Sequence, residues 1–240
     1  MTRRLRRQIR LMQAYIGGSL VLLLFMGLEA MTQSNAIQQY RELTVERLNV
    51  VDANGTLRLV LSNKDRMHPG VIDGKTINRP RPVAGLLFFN DAGDEVGGIT
   101  FTGQELNGQG RANAGLTFDQ WKQDQTIGIQ YDENDGKRSA GLQIWDRSDT
   151  QRLSELIDKL NSANTIQDPA ARASAVQAAR AAAQPSYQRL FAGKDRDRAS
   201  MVMLADAAGK PRLTLKVQAD GKATIEFLDA QGKVISRLPK

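Results

Sequence analysis

Apolar residues follow three different spacings along this 240-residue chain. The first is a solid block. From Leu11 to Leu28 no residue is charged, and Leu20-Val21-Leu22-Leu23-Leu24-Phe25-Met26 is apolar throughout. At helical rise this stretch covers roughly 27 Å, close to a bilayer's hydrocarbon thickness. It predicts a transmembrane helix over residues 11–30. Arg3, Arg4, Arg6, Arg7 and Arg10 crowd its leading flank, while Glu29, Arg41, Glu42, Glu46 and Arg47 follow it. That asymmetry predicts a cytoplasmic N-terminus and an extracytoplasmic body. Two alternatives stay open. Ser34 and Ala36 fit the −3 and −1 positions of a signal-peptide cleavage site, against which stand the length of the run and its polar spacer. A buried core helix leaves the one-sided arginines unexplained.

The second spacing is alternation with a period of two, broken by Asx-x-x-Gly. Its clearest copies are Leu48-Asn-Val50-Val51-Asp52-Ala-Asn-Gly55 and Ile225-Glu-Phe227-Leu228-Asp229-Ala-Gln-Gly232. Leu86 to Gly93 and Val202 to Gly209 follow the same form, and Leu116–Tyr131 and Leu142–Asp146 are degenerate copies. Asp or Asn opens a type I turn through its side chain, glycine closes it in the left-handed region, and alternation on both sides marks half-buried strands. Six hairpin-like units spaced irregularly predict an antiparallel β body: a meander, a stacked sheet or a partly closed barrel.

The third spacing is helical. Leu153, Leu156, Ile157 and Leu160 recur at i, i+3, i+4 and i+7, with Asp149 as candidate N-cap. Asp168-Pro169 then opens an alanine-rich helix towards Pro185, one with little bulky apolar surface for packing. Residues 64–83, with Pro69, Pro80 and Pro82, read as a long polar loop, and Gly103–Gly110 as a flexible one. The expected fold class is mainly β, an N-terminal transmembrane helix followed by an antiparallel β-hairpin-repeat body with a helical insertion. Its parts are a basic cytoplasmic segment (1–10), the anchor (11–30), the body (42–148 and 193–240) and the insertion (149–192).

Charge changes this picture less than its total suggests. The net charge is +7, but the first ten residues hold five arginines and no acid, so residues 11–240 carry 28 basic against 26 acidic side chains, a net of +2. The body offers no electrostatic case for nucleic acid. Absence of cysteine excludes disulfides, thiol nucleophiles and thiolate-bound metal, and a single histidine excludes His-pair sites within one chain.

Several strings together resemble a family of uncharacterised, membrane-anchored bacterial proteins. They are Glu46–Val51, Leu57–Lys64, Gly85–Asp91, Glu95–Gly98, Phe118–Trp121 with Gln123–Gln125, and Gly193–Arg196. The likeness covers roughly residues 42–240 and implies a bacterial origin and a shared architecture. No activity is established for that family, so it transfers no catalytic role.

Candidate chemistry is sparse. Asp119 and Asp124 form a polar cluster with Gln120, Gln123 and Gln125 beside Trp121, which suits either a carboxylate pair or a sugar-stacking site; the bland alternative is a polar hairpin tip. His68 reads as a surface histidine, and Asp132–Gly136 as a hairpin turn, since its glycine falls one place short of calcium-loop register. Lys194–Arg198 reads as a solvated or self-paired face. Ala14-x-x-x-Gly18 is a small-residue pair of the kind found between membrane helices. The leading expectation is a non-enzymatic anchored envelope protein whose partners are the bilayer, through residues 11–30, and another envelope protein. A glycan-binding module using Trp121, Trp145 or the 64–83 loop is the alternative, ahead of a carboxylate-dependent hydrolase. No cofactor is expected, and the oligomeric state stays open.

Overall fold

The computed structural model describes residues 3–31, 37–77 and 80–239, with side chains of the first stretch as far as Leu24. Two compact units result, divided between Thr44 and Val45. In the first, helix α1 spans Arg3–Met31. Among the described residues no helix is long and apolar enough to cross a membrane. The side chains of 25–30, the last part of the expected anchor, and the Ser34–Ala36 stretch lie outside the described residues.

The second unit is mainly β. Its elements are β1 (Arg47–Val51), β2 (Leu57–Ser62), β3 (Val71–Ile72), β4 (Lys75–Thr76), β5 (Ala84–Phe89), β6 (Glu95–Leu106), β7 (Gln109–Asp119), β8 (Gln125–Asn134) and β9 (Lys137–Asp146). Helices α2 (Leu153–Asn164) and α3 (Pro169–Ala181) follow, then β10 (Tyr187–Lys194), β11 (Ser200–Ala205), β12 (Pro211–Val217), β13 (Ala223–Leu228) and β14 (Val234–Leu238). Twelve strands form one antiparallel sheet in the order of the chain, β1-β2-β5 through β14, while β3 and β4 pair separately. Of the expected arrangements, this is the meander. Residues 187–192, placed in the helical insertion by the sequence, belong to β10.

Turn chemistry sets the pairing. The amides of Gly55, Gly93, Gly209 and Gly232 bond back to the carbonyls of Asp52, Asn90, Asp206 and Asp229, with φ of 70–87° at each glycine. Two copies repeat an ion pair as well: Arg58 meets Asp52 and Arg212 meets Asp206, both at 2.7 Å. Asp195–Arg198 is a further turn, with Arg198 at φ 68° in the slot that glycine holds elsewhere. The 103–110 stretch is a strand pair, not a flexible loop. Asn107-Gly108, like Asp135-Gly136, has both φ values positive, the signature of a type I′ two-residue hairpin.

Both insertions pack against the rest of this unit. Residues 64–77 and 80–83 lie against one sheet face as a flap, whose Met67, Val71 and Val83 pack on Val60, Leu87 and Phe89; its Ile77 is also buried. Val60 and Leu87 are fully buried, each contributing on the order of 2 kcal/mol. His68 belongs to this core: its ring meets Phe89 edge-on at 5.3 Å and its Nδ1 accepts the Gly70 amide, so it is half-buried instead of a surface group. Burial, then Arg47, holds its pKa below the usual value. Asp149 does not cap α2, whose N-cap is Arg152; Asp168 does cap α3, accepting the Ala171 amide at 2.7 Å. The alanine face of α3 packs on α2, with Ala163 and Ala179 buried.

Candidate functional site

At one end of the sheet, the β5–β6 and β7–β8 turns meet both insertions. Lys122 takes φ 57° within its turn, and its Nζ reaches Asp73 at 2.9 Å and the Asp94 carboxylate. Asp73 also accepts from Arg152 at 3.0 Å and from Ser154 on α2, and Asp94 accepts the Gly74 amide at 3.0 Å. Hydrogen bonds from Ser154 and Lys122 keep Asp73 ionised to lower pH than usual, and those to Asp94 and Asp73 hold the Lys122 proton more tightly. Beside this cluster Arg81 grips Glu95 with two bonds of 2.7 Å. Gly70 passes so close that a Cβ there would sit 2.7 Å from Glu95 Oε2. None of these residues stood out in the sequence, because each partner comes from a distant segment.

Asp119, Trp121 and Asp124 share the β7–β8 turn but do not face one cleft. Asp119 ends β7 with its Oδ1 buried and unpaired. Burial, then the charges of Glu95 and Asp124, pushes its pKa up to about 7 against the pull of Arg81 and Arg147. Asp124 is partly exposed, accepts the Gln125 amide at 2.9 Å and lies 3.9 Å from Arg147. Trp121 is 62% exposed, with the Lys122 ammonium 5.0 Å from its ring centroid. It lines an open cleft of about 500 Å³ together with Gln120, Gln123, Arg152 and Glu155, and neither carboxylate is part of that lining. Gln120 and Gln123 are engaged in holding the 148–151 segment. Trp145 lies over Gly128, where a Cβ would meet its ring at 3.2 Å, so it packs flat on the sheet.

The most extensive feature is a surface. Cross-strand register aligns one residue from every strand into a single row: Leu48, Leu61, Leu86, Ile99, Leu116, Ile129, Leu142, Ala192, Val202, Leu215, Ile225 and Leu238. Every member is apolar. A second row on this face, two residues away, runs Val50-Leu59-Phe88, passes Gly97, and continues Phe118-Ile127-Ile144-Leu190-Leu204-Leu213-Phe227 to Ser236. Neither row contains a charge. The insertion flap covers the opposite face, where Val60 and Leu87 point, but this front face stays open: Ile129 is 56% exposed and Phe101 54%. Beyond the flap the back face is mixed: Gln130, Gln143 and Gln188 bond in series and Glu226 faces Arg237, beside Trp145, Phe191 and Met203. The sequence displayed the alternation, but not which of the two faces would be covered.

No protein-family model matches the chain, and no curated protein matches it.

Proposed function

We propose that this is a non-enzymatic, single-pass membrane protein of the cell envelope that engages another protein through the open front face of its sheet. One observation carries the reading: an apolar row unbroken across twelve strands, of which six members are exposed and six half-buried. Monomeric proteins seldom expose an apolar surface of that extent, and larger patches mark interaction sites. The anchor is residues 11–30, inserted with the arginines of residues 1–10 in the cytoplasm. The uncharged run, its one-sided basic flank and the helical course of Arg3–Met31 support that orientation. The test places a photo-reactive residue at Ile129 in cells and, separately, at Gln143 on the back face. Protein adducts from Ile129 alone are expected. A body recovered without adducts from either position overturns the interaction reading, and digestion of the body from the cytoplasmic side overturns the orientation.

A second reading, an envelope-glycan site, is favoured by exposed Trp121 on its polar cleft. An aromatic face beside amide and charged groups suits a sugar ring. If Trp121→Ala leaves retention on envelope polysaccharide unchanged, that reading fails. A carboxylate-dependent hydrolase draws no support from this geometry, because Asp119 and Asp124 do not line the cleft.

A further inference from the structure

We infer that the partner on the front face is a second copy of this chain, laid sheet against sheet; this rests on the reading of that face as a protein interface. A β-sheet with an apolar face needs a second layer to bury it, and open sheets rarely exceed about ten strands without curling, splitting or flattening. The flap and α2 occupy each other: Lys75 pairs with Asp158, and Arg152 and Ser154 hold Asp73. Neither of these insertions is therefore free to supply the layer for the front face.

Its dimensions select the occupant. Eleven strand spacings of ~4.8 Å make the twelve-stranded sheet about 53 Å across. Two rows of side chains then present about 700 Å² and a third about 1,050 Å², against the ~800 Å² per partner of a stable interface. A single helix covering the row would need about 35 residues at 1.5 Å each. Another copy supplies a surface of matching length; the two central rows are uncharged, and in the third, which runs through Phe101 and Tyr131, the charge is Lys194. The ends are complementary too. Val202, Leu215, Val217, Ile225 and Leu238 line an apolar groove of about 710 Å³. A two-fold axis parallel to the strands sets β11–β14 of one copy over β1, β2, β5 and β6 of the other, where Leu61 and Phe101 project.

Ile129 lies in the sixth of the twelve strands, beside the axis. Because the chain has no cysteine, Ile129→Cys introduces the only thiol. The full-length variant is treated in membranes with a short bismaleimide, and Gln143→Cys serves as the back-face control. The expected product is a covalent dimer of the chain from Ile129→Cys alone. Light scattering in mild detergent is expected to give twice the chain's mass, returning to monomer in Ile129→Asp with its circular dichroism preserved. A doubled mass that persists in Ile129→Asp places the contact elsewhere and overturns the inference. So does a monomer whose Ile129 photo-adducts contain a different protein, although the interaction reading then survives. Absence of any protein adduct, or lipid alone on this face, overturns both.

Discussion

Phe88 and Phe118 stack with ring centroids 6.1 Å apart although their strands are not neighbours, because β6, which runs between them, carries Gly97 there. With no side chain on β6 at that point, the two rings meet across the strand. The backbone is equally restrictive: φ at Gly97 is 124°, and a Cβ would approach the Thr117 carbonyl oxygen to 2.1 Å. Gly97→Ala is expected to cost about 2–3 kcal/mol, seen as a fall of some 5–10 °C in the melting temperature of the body. A melting curve within a degree of the parent would refute this.

Asp119 makes stability depend on pH. Unfolded, its carboxyl titrates near 3.8; folded, near 7. Between those values the unfolded chain releases the proton and the folded chain keeps it, so stability falls as pH rises from about 4 to 7. The loss is on the order of 4 kcal/mol at most. Asp119→Asn cannot ionise. It should leave the melting temperature unchanged at pH 4 and raise it at pH 8. Parallel curves for the two proteins at both pH values would sink the idea.

Lys122 neutralises two carboxylates, Asp73 and Asp94, that are themselves nearly buried. Removing one member of a buried ion pair costs about 3 kcal/mol or more, because the remaining charge is stranded. Lys122→Met should therefore destabilise the body and loosen the flap, with the α2 it holds, from the β5–β6 and β7–β8 turns. Amide exchange should accelerate at residues 70–77 and 148–164 before it does so in β7 and β8. Uniform acceleration across the sheet would show that the cluster does not couple the two insertions.

A smaller and more local effect is expected at Asp168, whose side chain satisfies the Ala171 amide at the start of α3. Asp168→Ala should lower helix stability by about 1 kcal/mol, with faster exchange confined to 169–181. The sheet should be untouched.

Local chemistry was legible in the sequence and long-range burial was not. Asp206 with Gly209 and Asp229 with Gly232 announced their hairpins, since a turn depends only on a few adjacent residues. Asp168-Pro169 announced a helix for the same reason. The flap reads as a polar loop in sequence because Met67, Val71 and Ile77 are separated by proline and glycine and show no period; their burial depends on β2 and β5. Tyr187 to Ala192 was merged with the helices before it, as Tyr-Gln-Arg-Leu-Phe-Ala alternates poorly. At the candidate site, Asp119 stands out in sequence by its polar neighbours, whereas its titration depends chiefly on burial and on Glu95, which β6 brings close. Trp121 was noticed for its ring, and its exposure follows from its place at a turn.

The sheet's order is also a timetable. Since spatial order repeats chain order across all twelve strands, each strand emerging during synthesis finds its partner already laid down immediately before it. Only the flap and the helical pair interrupt the sequence. Pairing of this kind closes short loops and escapes the slow search that non-local β topologies impose. Assembly can proceed as growth from a single advancing edge, with β14 the last to close on it.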